Sequence, residues 1–177
     1  MIEFKVSKKS QYDALKEFIN TTIFYLCFTI FLLILLIVYS EFGILEITIV
    51  LLMGLIPYAI FFLYPIAIIH SNYLKNAIYQ VIELSENQIK IDSILYTSDN
   101  IKKIDVYASY SYLAGGSGTN YSVHEVTYYK IEIHLENHKR IYLSSLYGQS
   151  LYPNIKECFS NTLICEHKLL FVPKYLI

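Results

Sequence analysis

Two apolar blocks without a single Asp, Glu, Lys or Arg, residues 18–40 and 47–69, constrain this chain more than any other feature. They hold 18 of 23 and 19 of 23 hydrophobic positions. A hydrocarbon layer about 30 Å thick takes roughly 20 helical residues at about 1.5 Å each, so each block is long enough to span it. Between them lies only Glu41-Phe42-Gly43-Ile44-Leu45-Glu46, which is too short for anything but a tight turn between antiparallel helices. The first block exceeds the apolar core of a secretory signal, about 7 to 15 residues, and no Ala-x-Ala-like cleavage site follows it. It reads as a retained anchor.

Neither span carries an ionisable residue, which argues against an ion path or proton relay through a single copy. The second holds Gly54, Pro57 and Pro65. Proline removes a helical hydrogen bond and clashes with the preceding turn, so kinks are predicted there, serving either a hinge or a simple bent anchor. Lys5, Lys8, Lys9 and Lys16 precede the hairpin, whereas the turn has only Glu41 and Glu46. Lysine and arginine near membrane ends stay on the cytoplasmic side, which predicts both termini in the cytoplasm. The chain thus divides into a cytoplasmic segment, 1–17, a hairpin, 18–70, and a cytoplasmic domain, 71–177.

From His70 onward 50 of 108 residues are hydrophobic, an ordinary share for a soluble domain. The 55% of the whole chain is therefore the hairpin's doing, and it excludes a disordered tail. With 14 Lys/Arg against 15 Asp/Glu, the chain is not expected to bind nucleic acid. Alternation of apolar and polar residues predicts strands at 77–84 and 88–92 about a polar turn, at 101–106, and at 128–136 and 139–143. Leu151, Ile155, Phe159 and Leu163 recur every four residues and predict a helix of about 12 residues. The fold class is α+β: a two-helix transmembrane hairpin, then an antiparallel sheet curled so that the last helix covers its open end. The apolar residues 169–177 fit a last strand, an interfacial foot or a partner contact equally well.

Two membrane helices, then ELSENQIKI, TSDNIKKIDVY and YYKIEIHLENHKRIYLSS, and then a closing helix, resemble the bacterial pleckstrin-homology-like membrane proteins of the YcxB-like type. Many of those proteins carry a Trp near the segment matching 98–104; this chain has none, and Asn100 occupies that neighbourhood. The resemblance implies a pleckstrin-homology-like antiparallel sheet or barrel with a closing C-terminal helix, at the bacterial inner (plasma) membrane. It also implies a binding or scaffolding role without catalysis.

The glycine-rich stretch 113–120 lacks both a Gly-Lys-[Ser/Thr] ending and a G-x-G-x-x-G pattern, so it reads as a hairpin tip and not a phosphate cradle. Tyr107, Tyr110, Tyr112 and Tyr121 around it pair apolar faces with polar tips and form the candidate partner-contact set, against the alternative of ordinary sheet positions. Lys102, Lys103, Lys139 and Arg140 are candidate contacts to an anionic surface, although ten basic residues of the domain face ten acidic ones. The turn 84–88 is acidic and polar, which disfavours phosphoinositide binding there. Histidines and the three cysteines show no metal-ligand spacing, and no nucleophile–base order occurs, so no catalytic residue, metal or cofactor is expected. The expected partners are the lipid bilayer and a protein, or a second copy of the chain. Protection against a toxin in the inner membrane, or an accessory role in a transport complex, are the alternatives.

Overall fold

The computed structural model describes residues 1–39, 43–113 and 128–169, with backbone only at Glu17, Tyr110 and Ser111. Ser40 with the first two residues of the predicted turn, Glu41 and Phe42, the loop with Tyr121 and the tail 170–177 lie outside the described residues. A short strand, β1 (Ile2–Phe4), leads into α1 (Lys8–Tyr39), which starts well before the charge-free block. Ser7 and Ser10 fix that start reciprocally: the Ser7 N–H donates to Ser10 Oγ at 2.9 Å, and the Ser10 N–H to Ser7 Oγ at 3.1 Å. Such bonds satisfy amides that a helix N-terminus leaves without intrahelical partners.

The second block forms α2 (Ile44–Tyr58), a π-helical turn (Ala59–Leu63) and α3 (Tyr64–Asn76) in unbroken succession. The π turn lies between Pro57 and Pro65, each of which leaves the carbonyl four residues earlier without its N–H donor, and a wider turn is one way a helix absorbs that loss. Phe18–Tyr39 and Ile44–Asn76 are long and apolar enough to cross a membrane. Their large side chains point outward, with Phe24 72% and Met53 72% exposed.

The two helices are joined by polar groups. Thr22 Oγ1 donates to the Phe18 carbonyl at 2.8 Å and so accepts from the Tyr58 hydroxyl at 2.7 Å. The Tyr25 hydroxyl donates to the Gly54 carbonyl at 2.9 Å, and the Tyr25 and Tyr58 rings stack at 4.2 Å. A Cβ on Gly54 would sit 3.2 Å from the Tyr25 hydroxyl, so any larger residue would require that hydroxyl to shift by a few tenths of an ångström.

The rest of the described chain adds β2 (Ile82–Ser85), β3 (Gln88–Ile91), β4 (Ile94–Thr97), β5 (Ile101–Ser109), α4 (Tyr110–Leu113), β6 (Tyr129–Leu135), β7 (Arg140–Ser144), α5 (Leu151–Cys158) and β8 (Ile164–Leu169). They form two four-stranded sheets, β1-β2-β3-β4 and β7-β6-β5-β8. All pairs are antiparallel except β5 with β8, which is parallel. Asn87, Asp92 and His138 take left-handed conformations at the tight turns, a region that Asn, Asp and His tolerate better than most residues.

Three expectations are corrected. The strand predicted at 77–84 begins only at Ile82, because residues 80 and 81 are tied by their N–H groups to Asp92 Oδ1 at 2.7 and 3.1 Å. The helix predicted to reach Leu163 ends at Cys158; Phe159 is buried, but Leu163 is 63% exposed. That helix does not close the described fold, since β8 follows it and runs parallel to β5, so the second sheet is mixed and not antiparallel.

Apolar residues of both sheets and of α5 form one core, including Ile82, Leu84, Ile104, Ile131, Leu143 and Phe159. A second cluster, Ala14, Ile66, Ile69, Tyr73, Tyr128 and Leu146, binds α1 and α3 to the sheets. The segment 1–17 does not stand apart. Ile2, Glu3 and Phe4 pair with Leu84, Glu83 and Ile82, and Phe4 enters the main core. Its ring lies 3.4 Å from where a Cβ on Gly148 would be, and Gly148 sits at φ 144, ψ 145, backbone that only glycine adopts freely.

Phe4→Ala should therefore lower the unfolding free energy by about 3–5 kcal/mol, and Gly148→Ala by about 1–3 kcal/mol, measured by denaturant titration of the detergent-solubilised chain. A loss under about 1 kcal/mol for Phe4→Ala would remove β1 from the cooperative unit.

Candidate functional site

Strand periodicity of two sends Ile104, Val106 and Ala108 of β5, and Ile131 and Ile133 of β6, into the core. The residues between them, Lys103, Asp105, Tyr107, Lys130, Glu132 and His134, must then share the opposite face. Register places Asp105 beside Glu132, Lys103 beside His134 and Tyr107 beside Lys130. On the far side of β5, the parallel pairing sets Tyr107 against His167 of β8.

Asp105 is the centre of this face. Its side chain is only 3% exposed, and its Oδ2 lies 2.6 Å from Lys103 Nζ. His167 Nε2 is 3.1 Å from Oδ1. His134 Nε2 is 2.8 Å from Oδ2 but is not aligned as a hydrogen bond to it. Burial alone would push the Asp105 carboxyl up; the hydrogen bonds from Lys103 and His167 outweigh it and hold the group below the usual carboxylate range. The same bond to Asp105 raises Lys103. Both charges are thus fixed.

Beside this cluster, Lys130 Nζ is 2.8 Å from Glu132 Oε1 and lies over the rings of Tyr142 at 5.1 Å and Tyr107 at 5.7 Å. The Tyr107 ring stacks on His167 at 4.5 Å. Arg140 reaches Glu132 only at 3.9 Å and stays exposed. The face is a cross-strand network of opposite charges and aromatic rings, in which a buried carboxylate already uses both oxygens. Cys165, a free and partly exposed thiol, is the register partner of Asp105 on β8. Among the described residues no group of three or more His, Cys, Asp or Glu is placed to hold a metal ion.

The candidate residues divide. Lys103 and Arg140 flank His134 in one cross-strand row, so the structure brings them together, with Lys102 and Lys139 exposed beside them. Tyr107 belongs to the charged face, whereas the Tyr112 ring lies 5.1 Å from Tyr129 and its hydroxyl donates to the Gln149 carbonyl at 3.3 Å. Burial pushes the Tyr112 hydroxyl far above its ordinary value, as expected of a group packed against the core. The two tyrosines therefore face opposite ways. Tyr110 opens α4, its side chain lying outside what is described, as does all of Tyr121.

Sequence reasoning missed Asp105, Lys130, Glu132, His134 and His167. Its available signal was the period-two order Lys103-x-Asp105-x-Tyr107 and Lys130-x-Glu132-x-His134, two strands of matching polar alternation. Nothing local marked His167, because parallel pairing of β8 with β5 is a tertiary fact. Comparison with models of known protein families, with curated proteins and with solved structures finds no match.

Replacing Asp105 by Asn should cost roughly 1–3 kcal/mol of stability at pH 7, since it strips Lys103 and His167 of their charged partner. A carboxyl held below its ordinary value stabilises the fold above that value, and the contribution is lost as pH falls through the folded-state value. The gap between wild type and Asp105→Asn should accordingly shrink below about pH 4 in denaturation midpoints. A gap that stays constant down to pH 2.5 would contradict it.

Proposed function

We propose that this chain is an integral protein of a bacterial inner membrane that displays a cytoplasmic pleckstrin-homology-like domain for binding a protein partner. The observation carrying this reading is a charge-free apolar girdle on α1 and α2 whose helices pack against a folded domain. Soluble monomers rarely expose contiguous apolar patches beyond a few hundred Å². Here two full helices expose their side chains, and the domain holds both their outer ends through β1–β2 pairing and the Tyr73–Tyr128 cluster. The lysines before the hairpin and the acidic turn support a cytoplasmic domain.

Binding is favoured over catalysis by the second sheet's outer face, where opposite charges pair with one another and both Asp105 oxygens are engaged. Exposed Lys102, Lys139 and Arg140 border that face and form the partner surface of this reading. Resemblance to YcxB-like proteins points the same way.

Alkaline carbonate should leave the expressed chain in the bacterial membrane pellet. With the native cysteines replaced, Glu46→Cys should react with an impermeant maleimide in intact cells, and Asn137→Cys only after lysis. Extraction by carbonate would refute membrane integration, and the reverse labelling pattern would invert the orientation.

A further inference from the structure

The first turns of α1 lie outside the charge-free span yet continue the same helix. At about 100° per residue, Lys8, Tyr12, Lys16 and Lys9 fall within an arc of about 100°, while Ser10 and Ala14 fall on the opposite side. The burial pattern agrees: Lys8, Lys9, Tyr12 and Lys16 are exposed, and Ser10 and Ala14 are buried. Ala14 packs with Ile66, Ile69, Tyr73 and Leu146. The domain therefore covers one side of this helix and turns a stripe of three lysines and a tyrosine outward. No ion pair among the described residues engages those lysines, in contrast to Lys5 with Glu3, Lys103 with Asp105 and Lys130 with Glu132. Asp13, half-buried, lies beyond the edge of the arc.

The height of the stripe is set by the span. If Phe18 marks the hydrocarbon edge, Lys16 lies about 3 Å beyond it, Tyr12 about 9 Å, and Lys9 and Lys8 about 14–15 Å. A headgroup layer is about 5–8 Å deep. Lys16 then stands among the headgroups, Tyr12 just outside them, and Lys8 and Lys9 within about one Debye length of their outer surface. Lysine's flexible stem lets its ammonium move toward that layer.

We infer that the Lys8, Lys9, Tyr12 and Lys16 face of α1 binds anionic phospholipid headgroups in the leaflet that the helix enters. This rests on the membrane reading above and adds to it a choice of lipid. Charge complementarity and continuity with the apolar span favour headgroups of the same bilayer over an acidic protein.

The test uses the full chain reconstituted in phosphatidylcholine vesicles with trace spin-labelled phosphatidylglycerol or spin-labelled phosphatidylcholine, comparing the motionally restricted fraction of each. The wild type should prefer the glycerol lipid at least about threefold at low salt, and the preference should collapse toward unity in about 1 M NaCl. It should also collapse in Lys8→Gln/Lys9→Gln/Lys16→Gln and persist in the matching triple arginine variant. A wild type without preference, or a glutamine variant that keeps it, overturns the inference while leaving membrane integration intact. A chain that carbonate strips from the vesicles overturns both.

Discussion

Backbone pairing of Ile2, Glu3 and Phe4 with β2 ties the start of one long apolar helix to the strand that follows the other. Everything between, two helices and their connecting turn, is thereby a closed loop whose ends lie in adjacent strands. A helix pair held this way returns to the side it left. The second cluster reinforces the tie, because Ala14 of α1 and Ile66, Ile69 and Tyr73 of α3 pack on Tyr128 and Leu146. The domain is consequently clamped to the hairpin and does not hang from it on a linker.

Within the apolar zone, the helices are matched by few but directional contacts. Thr22 with Tyr58, and Tyr25 with the Gly54 carbonyl, place hydrogen bonds between the two apolar helices and fix the level of α1 against α2. The π turn follows directly after Tyr58, so the distortion imposed by Pro57 and Pro65 falls between this lock and the part of α3 embedded in the domain. On the second sheet the same logic of mutual satisfaction applies to charge. Burying Asp105 is tolerated because Lys103 and His167 hold it, and Lys130 is accommodated by Glu132 and two tyrosine rings.

The two apolar helices were legible because each charge-free block of over 20 residues is long enough for one continuous helix, and the strands at 101–106, 128–136 and 139–143 because their alternation is clean. What escaped is governed by distant partners. The three residues of β1 carry no pattern of their own and become a strand only against Ile82, Glu83 and Leu84. In β4, Ile94 and Leu95 are adjacent and both exposed at a sheet edge, which erases the alternation. Leu163 continued a four-residue spacing by coincidence, one position before a strand that pairs in parallel with β5. The tyrosines were correctly seen as numerous, yet type alone could not separate Tyr107 on the charged face from Tyr112 against the core.

The clamp between β1 and β2 is tested most directly by a Glu3→Cys/Glu83→Cys variant, native cysteines replaced, in lipid nanodiscs under mild oxidation. These residues are register partners, and directly opposed antiparallel residues have Cα separations of about 4.5–5.5 Å, within the range a disulfide bridges. The account predicts near-complete cross-linking within the monomer, and none for Glu3→Cys paired with Glu136→Cys on the other sheet. Absence of the Glu3–Glu83 cross-link in a folded, inserted chain would contradict it.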